Sequence, residues 1–311
     1  MPFSHIDYIT IFIWKKKIIQ NAHKQKAKAS NMNSLVGNNE AFLPSLGPFT
    51  APTTFWGTGV ILLQCVVIAT AGINEVHNPT QYSKFANQQT TQLPSMYGML
   101  LLYGPSAIVA TLFTILSVST DHDATCAPTV ASICLALHFG KRVAESLFLH
   151  EYSGTMDLST SIAIGTYYAL SSFLIMGTAA PLDQVQKLPQ RLGLVFFIIG
   201  ELGNLYHHYL LRQLRTNKQN STKDDKDKKK RYVPPQGGLF RFVAAPHYMF
   251  EIIAFLGIAL TAQSLHALLV ALGMGSYLAG RAILTHRFYA KTFDKSEWNP
   301  RQIKAMIPFI F

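Results

Sequence analysis

The sequence predicts an all-α protein, a polytopic membrane bundle of about seven transmembrane helices. Hydrophobic residues make up 49% of the 311 residues and charged residues only 14%, against about 25% charged residues in a typical soluble protein. Apolar segments of roughly 20 residues, the length needed to cross a bilayer, recur seven times along the chain. The connections between most of these segments are short, so we expect one helical bundle without a separate soluble domain.

The seven apolar segments lie at about 55–73, 95–118, 126–149, 158–180, 191–212, 239–262 and 264–289. Residues 55–311 are therefore predicted to form one seven-helix membrane domain. The chain has no GxGxxG after a strand pattern and no Walker sequence. Any bound dinucleotide would be held by membrane helices and loops instead of a Rossmann unit.

Residues 1–54 are predicted to be an N-terminal extension that is partly disordered. Its apolar run, residues 9–14, is too short to span a membrane and is followed by six lysines before residue 29. Two interpretations stay open. In the first, the run is a targeting or anchoring segment. In the second, translation begins at Met32, and the first twenty residues of the resulting chain contain no Lys or Arg.

The net charge of +11 comes mainly from two short stretches. Residues 1–31 hold six Lys and one Asp, and residues 213–231 hold eight Lys or Arg and three Asp. Both stretches flank apolar spans, whereas nucleic-acid binders distribute cations and aromatic residues over a face, so we expect no nucleic-acid partner. The positive-inside rule places the 213–231 loop in the cytosol, and counting spans places the C-terminus there too.

The three cysteines give no sign of a cross-link or a metal. Cys65, Cys126 and Cys134 form no CxxC pair and no even set. The sequence therefore predicts neither a disulfide framework nor a metal site.

Charged residues interrupt the third and fifth apolar segments. Such residues cost roughly 2.5 to 3.5 kcal/mol each within a span, so they normally face the bundle interior and are functional. The third segment carries His138, Lys141, Arg142 and Glu145, of which several share one helix face. Internal ion pairs that fix helix packing and the wall of a binding cavity are both open interpretations.

The fifth segment has a polar stripe that runs into the basic loop. Its members follow one another at steps of three, four, four and three residues: Glu201, Asn204, His208, Arg212 and Arg215. Guanidinium groups suit phosphate because they donate two parallel hydrogen bonds. This stripe is a candidate binding surface for a phosphorylated ligand.

The sixth and seventh segments carry further polar residues. His247 and Glu251 are one turn apart, and Tyr248 precedes Glu251 by three residues, so all three can line a pocket wall. Gly237 and Gly238, just upstream, predict a turn that lets the backbone approach a ligand closely. The last segment has Tyr277, Arg281, Thr285 and Tyr289 at steps of four.

Several ordered motifs resemble those of the steroid 5α-reductase and trans-2-enoyl-CoA reductase superfamily. They are HFGKRVAESLFLHEYSGTM from residue 138, NLYHHYLLRQLR from residue 204, PQGGLFRFVAAPHYMFEI from residue 235, and the C-terminal GRAILTHRFYAKTF and KAMIPFIF. The resemblance covers about residues 137–311. It supports the polytopic helical fold.

The resemblance implies NADPH as cofactor and assigns residues to three groups. The catalytic group is Tyr248, Glu251 and Gln92. The cofactor-binding group is Asn204, His208, Arg212, Arg215, Tyr232, His247, Arg281 and Tyr289. The substrate-cavity group is His138, Phe139, Lys141, Arg142 and Glu145. The role of His286, one residue beyond the position where the steroid branch has histidine, is left open.

Two departures from the steroid branch bear on the substrate. Gln92 stands where that branch has a glutamate that engages the 3-keto group, and Phe139 replaces its tyrosine partner. A steroid enone would then be polarised less strongly, which shifts the expectation toward enoyl thioesters or another lipid.

The function implied is NADPH-dependent reduction of a C=C bond conjugated to a carbonyl in a membrane lipid, of enoyl-CoA or 3-oxo-4-ene steroid type. The resemblance also suggests the endoplasmic reticulum as location and fatty-acid elongation enzymes as partners. Two alternatives stay open: an isoprenylcysteine-type membrane methyltransferase that uses S-adenosylmethionine, and a catalytically silent sterol-binding membrane protein.

Overall fold

The computed structural model describes residues 46–52, 54–80, 91–119, 125–152, 154–221 and 233–311, with the backbone alone for 217–221. These residues contain seven α-helices: α1 (Phe55–His77), α2 (Ser95–Ser119), α3 (Ala127–Ala144), α4 (Leu158–Gly177), α5 (Lys187–Ser221), α6 (Pro246–Ala262) and α7 (Leu265–Thr292). The basic N-terminal run, Met32, Tyr232 and most of the lysines of the 213–231 loop lie outside the described residues.

Each of the seven helices overlaps one of the seven predicted segments, and the described residues form a mostly helical bundle. By length and composition, α1, α2, α4 and α7 could each cross a membrane. Helix α6 is apolar but has only 17 residues, and α3 and α5 carry the charged side chains of the third and fifth segments. The count of seven spans therefore stays a prediction.

Several helix boundaries differ from those predicted: α1 extends to His77 instead of residue 73, and α5 covers Lys187–Ser221 instead of residues 191–212. Helix α3 ends at Ala144 and continues as a π-helical turn, Glu145–Leu149, a conformation that often occurs at functional sites. Helix α6 begins at Pro246, later than the predicted residue 239, because Gly238–Arg241 form a separate 3-10 turn. Proline is favoured in the first turn of a helix, where its missing N–H costs nothing.

Two three-residue strands were not predicted. Strand β1 (Gln92–Pro94) pairs antiparallel with β2 (Thr155–Asp157), so that Gln92 lies opposite Asp157. The Asp157 side chain then accepts a hydrogen bond from Thr160 N at 2.7 Å and caps α4. This pair ties the starts of α2 and α4 together.

The main core has an aromatic centre that joins four helices. Phe139 of α3 is 1% exposed and packs against Tyr168 of α4 and Phe255 of α6, with ring centroids 5.3 and 6.4 Å away. Tyr103 of α2 stacks on Tyr168. Such aromatic pairs stabilise the core beyond their buried area, and they hold α3 between α2, α4 and α6.

Helices α5 and α6 are packed backbone to backbone through glycines. A Cβ at Gly200 would lie 2.4 Å from Ala254 N, and a Cβ at Gly257 would lie 2.5 Å from Phe197 N. Only glycine allows helices to approach this closely. The close contact brings the polar stripe of α5 within hydrogen-bonding distance of α6.

The glycine pair after the proline turn approaches α5. Gly237 and Gly238 have positive φ angles of 83° and 49°, and a Cβ at Gly238 would lie 2.9 Å from His207 Nε2. Leu239 N donates to this Nε2 at 3.1 Å, while His207 Nδ1 donates to Gly203 O at 2.7 Å. His207 is therefore a neutral imidazole that binds the turn to α5. It was not among the site residues predicted from the sequence.

The segment after α7 packs against the start of α6. Ala244 N donates to Lys304 O at 2.8 Å, and Lys304 N donates to Phe242 O at 2.8 Å. His286 Nε2 donates to Ile303 O at 2.9 Å and packs against the buried Trp298. His286, whose role the resemblance left open, therefore stabilises the packing of this segment next to the first turn of α6.

Candidate active site

Eight polar residues from α3, the π turn, α5 and α6 meet inside the bundle. We call them the polar cluster: His138, Lys141, Arg142, Glu145, Glu201, Asn204, His208 and Glu251. All except Lys141 and Glu201 are 8% exposed or less. The helical spacing of three and four residues puts them on facing sides of their helices.

The first part of the polar cluster joins α3 to α5 through Glu201. His138 Nδ1 donates to one carboxylate oxygen of Glu201 at 2.6 Å, and Lys141 Nζ lies 3.0 Å from the other. Lys141 also donates to Asn204 Oδ1 at 2.7 Å. Glu201 belongs to the predicted polar stripe, but the sequence did not identify it as a site residue.

The second part is organised around the buried guanidinium of Arg142. Its Nη1 lies 2.5 Å from Glu145 Oε2 and 2.9 Å from His208 Nδ1. Its Nη2 donates to the Tyr103 hydroxyl at 2.6 Å. When Arg142 donates to His208 Nδ1, that nitrogen is an acceptor and the ring proton resides on Nε2. Arg142 therefore links α2, the π turn and α5.

Asn204 connects the cluster to α6. Its Nδ2 donates to His247 O at 3.0 Å and lies 3.5 Å from Glu251 Oε2. The His247 ring is 5.2 Å from that of His208 and 4.3 Å from that of Tyr248. The structure thus brings the α6 residues beside the cluster, with Glu251 facing α5 and Tyr248 packed at the edge of the main core.

Three residues could hold a metal by distance alone. Ligand atoms of Glu145, His150 and His208 all lie within 4.8 Å of one another. However, Arg142 Nη1 already contacts both Glu145 and His208, and a metal ion would have to displace this permanent cation. We therefore assign no metal to this group.

The exposed end of α5 lies beside the loop after the π turn. Arg215 Nη1 donates to Glu151 O, and Thr216 Oγ1 donates to Glu151 Oε1 at 3.0 Å. Arg215 is exposed and Arg212 is half-buried. Two guanidinium groups on one helix face, one of them open to solvent, form a donor set that fits a phosphate-bearing ligand.

Arg281 lies against α1. Its Nη1 donates to Glu75 Oε1 at 2.8 Å and to Thr80 O at 3.2 Å, and both Arg281 and Glu75 are 2% exposed. Glu75 also accepts from Thr80 N at 3.0 Å. Glu75 was not predicted as a site residue, because the predicted first span ended at residue 73, four residues before the helix does.

The remaining predicted residues have other neighbours. Gln92 lies in β1 opposite Asp157. Tyr289 packs against Phe293 and Trp298, with ring centroids 5.5 and 5.6 Å away. Their assigned roles in catalysis and cofactor binding stay predictions.

The C-terminal half of the chain is similar in sequence to a known protein family. Residues 160–311 match the sequence profile of the 3-oxo-5-alpha-steroid 4-dehydrogenase family. A very-long-chain enoyl-CoA reductase of Dictyostelium discoideum is 33% identical over 199 residues, which are 61% of this chain and 61% of that protein. The 3-oxo-5-alpha-steroid 4-dehydrogenase 2 of Homo sapiens is 41% identical over 120 residues, or 39% of this chain and 42% of that protein.

A probable very-long-chain enoyl-CoA reductase of Caenorhabditis elegans is 29% identical over 217 residues, or 67% of this chain and 63% of that protein. The chain therefore spans less than two thirds of the length of each of these three relatives.

Proposed function

Since residues 160–311 form a domain of the 3-oxo-5-alpha-steroid 4-dehydrogenase family, we propose that the protein reduces a C=C bond conjugated to a carbonyl in a membrane lipid. NADPH is the proposed cofactor. It would supply the hydride.

The observation that carries the proposal is the polar cluster itself. Replacing buried ion pairs with well-packed apolar residues is often neutral or stabilising. A bundle that keeps Arg142, Glu145, Glu201 and Glu251 among apolar helices therefore gains little stability from them. Ionisable groups at such positions generally serve binding or catalysis.

The chain's own residues suit the binding of a dinucleotide along α5. Asn204 is oriented by Lys141 on its oxygen and by His247 O on its nitrogen. Arg212 and Arg215 follow on the same face toward the exposed end of the helix. We propose that these arginines hold phosphate groups, and that a ligand with an extra phosphate benefits from both.

Tyr248 and Glu251 are the proposed residues of the reaction centre. The Tyr248 phenol would donate a hydrogen bond to the carbonyl oxygen as negative charge develops there. Glu251, held near Asn204, would orient the site or contact the cofactor. The amide of Gln92 is proposed as a further group near the carbonyl.

An enoyl thioester is the favoured substrate class. Phe139 is 1% exposed and forms part of the aromatic core, so this position offers no hydroxyl to polarise a steroid ketone. The two longer alignments reported above are to proteins named very-long-chain enoyl-CoA reductases. A 3-oxo-4-ene steroid is the second candidate, because other relatives are named for that activity. Action on an enoyl-CoA would make fatty-acid elongation enzymes natural partners in the endoplasmic reticulum.

The test is NADPH oxidation by membranes that contain the protein, with a panel of trans-2-enoyl-CoAs and steroid enones and with the saturated product identified. We expect Tyr248→Phe to lower turnover about 100-fold or more, roughly the effect of one oxyanion donor, with little change in lipid binding. Tyr97→Phe is the control, since Tyr97 is 56% exposed. Wild-type membranes that form no saturated product from any member of the panel would refute the proposal.

The same membranes also test the alternatives. The relatives described above are named as reductases or dehydrogenases, which gives no support to a methyltransferase or to a silent sterol-binding protein. The methyltransferase would be supported instead if the membranes transferred a methyl group from S-adenosylmethionine to a prenylated cysteine substrate and did not oxidise NADPH.

A further inference from the structure

Residues 306–311 form a hydrogen-bonded turn that exposes two large apolar side chains. Phe309 and Ile310 are each 78% exposed. The backbone of the turn is closed on itself, because Phe311 N donates to Ile307 O at 3.0 Å and Ile310 N donates to the same oxygen at 3.2 Å. The two apolar side chains are therefore presented outward by an ordered backbone. We call these residues the 306–311 turn.

The backbone of Phe309 is in a conformation that bulky residues rarely adopt. Its φ angle is 66°, in the left-handed region, where Cβ comes too close to the following carbonyl oxygen. Gln263 also has a positive φ, but it is fully buried and exchanges hydrogen bonds with the backbone of Gln186. Strained conformations of this kind occur preferentially where they serve a function. For Phe309 that function would involve its exposed ring.

The segment that precedes the turn runs toward α6. Val243 and Lys304 form a parallel bridge, and Ala245 N donates to Ala305 O at 3.1 Å. Residues 304–306 therefore run in the same direction as residues 243–245, which lead directly into the apolar helix α6. The 306–311 turn thus begins at the level of the first residues of α6.

The exposed side chains of α5 indicate where the bilayer ends. Every exposed residue of α5 from 192 to 209 is Leu, Val, Ile, Phe or Tyr, and the exposed Arg191 and Gln213 lie on either side of this range. Eighteen helical residues are about 27 Å long, close to the roughly 30 Å of a bilayer's hydrocarbon core. Tyr206 and Tyr209, both exposed, lie at one end of the range, and tyrosine is enriched at the membrane–water boundary.

Contacts place the 306–311 turn near this boundary. A Cβ at Gly238 would lie 3.0 Å from Tyr206 Cε1. Phe242 follows four residues later, and its ring centroid is 5.4 Å from that of Phe309. The exposed Arg241 has its guanidinium carbon 6.0 Å from the Phe242 ring centroid. Aromatic side chains with a cation beside them suit the interfacial region, where anionic headgroups attract Lys and Arg.

We propose that the 306–311 turn is an interfacial membrane anchor. Phe309 and Ile310 insert into the boundary between headgroups and acyl chains of the surrounding bilayer, and Arg241 contacts anionic headgroups. The backbone bonds of residues 304–305 to residues 242–245 then hold the start of α6, which carries His247 and Tyr248, at the membrane surface. The inference does not depend on the proposed reductase function.

Photo-cross-linking in phospholipid nanodiscs tests the anchor without any measurement of activity. Phe309 and Ile310 are replaced, in separate variants, by p-benzoyl-phenylalanine, and the products are identified by mass spectrometry. We expect phospholipid adducts at both positions. Leu112 is the positive control, because it is 56% exposed on α2, a helix that could cross a membrane.

Lys295 is the matched negative control. It is exposed and lies after the end of α7 at Thr292. Ala282 of α7 belongs to the same packed cluster as Ala245, so α7 continues for about ten residues, or about 15 Å, beyond the level of the start of α6. The probe at Lys295 should give no phospholipid adduct.

Three results would overturn the anchor. The first is a phospholipid adduct at Leu112 but at neither Phe309 nor Ile310. The second is cross-linking of both turn positions to protein alone, which would show that a protein segment covers the turn. The third is equal formation of phospholipid adducts at Phe309 and Lys295.

The role of Arg241 is tested by lipid composition. Adding phosphatidylserine to phosphatidylcholine nanodiscs should raise the yield of phospholipid adducts at Phe309, and Arg241→Gln should abolish the increase. Arg191→Gln, at the other end of the apolar range of α5, is the control and should retain it. An increase that persists in Arg241→Gln, or no increase in the wild type, would overturn the assignment of Arg241.

Discussion

The buried arginines Arg142 and Arg281 have different roles because they contact different groups. Arg142 divides its donors between Glu145, His208 and Tyr103 at the centre of the polar cluster. Arg281 engages Glu75 and Thr80 at the contact with α1. Both were predicted as ligand-contacting residues, and the geometry gives Arg142 a direct connection to the other site residues.

Arg215 is predicted to bind a phosphate of the cofactor. Because it is exposed and lies at the basic end of α5, Arg215→Ala should raise the Michaelis constant for NADPH about tenfold, the value expected for losing a charge-assisted hydrogen bond. The constant for the lipid should change less. Arg191→Ala, an exposed arginine near the other end of α5, is the control. Equal use of NADH by the wild type would contradict the prediction.

At the scale of secondary-structure elements, the helix pairs are held by different means. Helices α5 and α6 approach through glycines, whereas α1 and α7 share both close glycine contacts and a buried ion pair. A Cβ at Gly280 would lie 2.5 Å from Gly72 O, and the Glu75–Arg281 pair lies beside it. Each arrangement predicts a distinct response to substitution.

The glycine contact between α5 and α6 is predicted to be intolerant of a methyl group. Gly200→Ala would drive Cβ into Ala254 of α6, and overpacking of this kind costs about 1 to 3 kcal/mol or more. Gly104→Ala in α2 is the control, because nothing lies within 4 Å of its Cβ position. Thermal unfolding in detergent should show loss of stability in the first variant only. A wild-type unfolding temperature for Gly200→Ala would contradict the packing described.

The ion pair between α1 and α7 is predicted to be needed as a pair. Glu75→Gln leaves the charge of Arg281 buried without its carboxylate, which should destabilise the fold by about 3 to 5 kcal/mol. Adding Arg281→Gln should recover much of this loss, because neither side chain is then charged. Stability losses that simply add in the double variant, measured by unfolding in detergent, would argue against a coupled pair.

At the scale of the whole molecule, membrane orientation is predicted from the distribution of Lys and Arg. The 213–231 segment and the segment after Tyr289, which carries Lys291, Lys295, Arg301 and Lys304, should both face the cytosol. Protease added to sealed microsomes should cleave both segments. Protection of either one until detergent is added would show that the predicted topology is wrong.

The sequence by itself predicted the approximate positions of the seven helices in the described residues, the polar stripe of α5 and the charged group of α3. These features are local, because the length of an apolar run and a spacing of three or four residues can be read along one helix. The motifs in the second half of the chain also predicted a resemblance to this family, and residues 160–311 match its sequence profile.

Only the tertiary structure decided which side chains meet. Tyr103 and Arg142 are 39 positions apart, and Glu75 and Arg281 are 206 apart. Tyr103 and His207 have no local signal that marks them, and Glu75 lies beyond the predicted end of the first span. Their partners follow from how α2, α1 and the 238–241 turn pack against distant helices, and that packing depends on shape complementarity between whole elements.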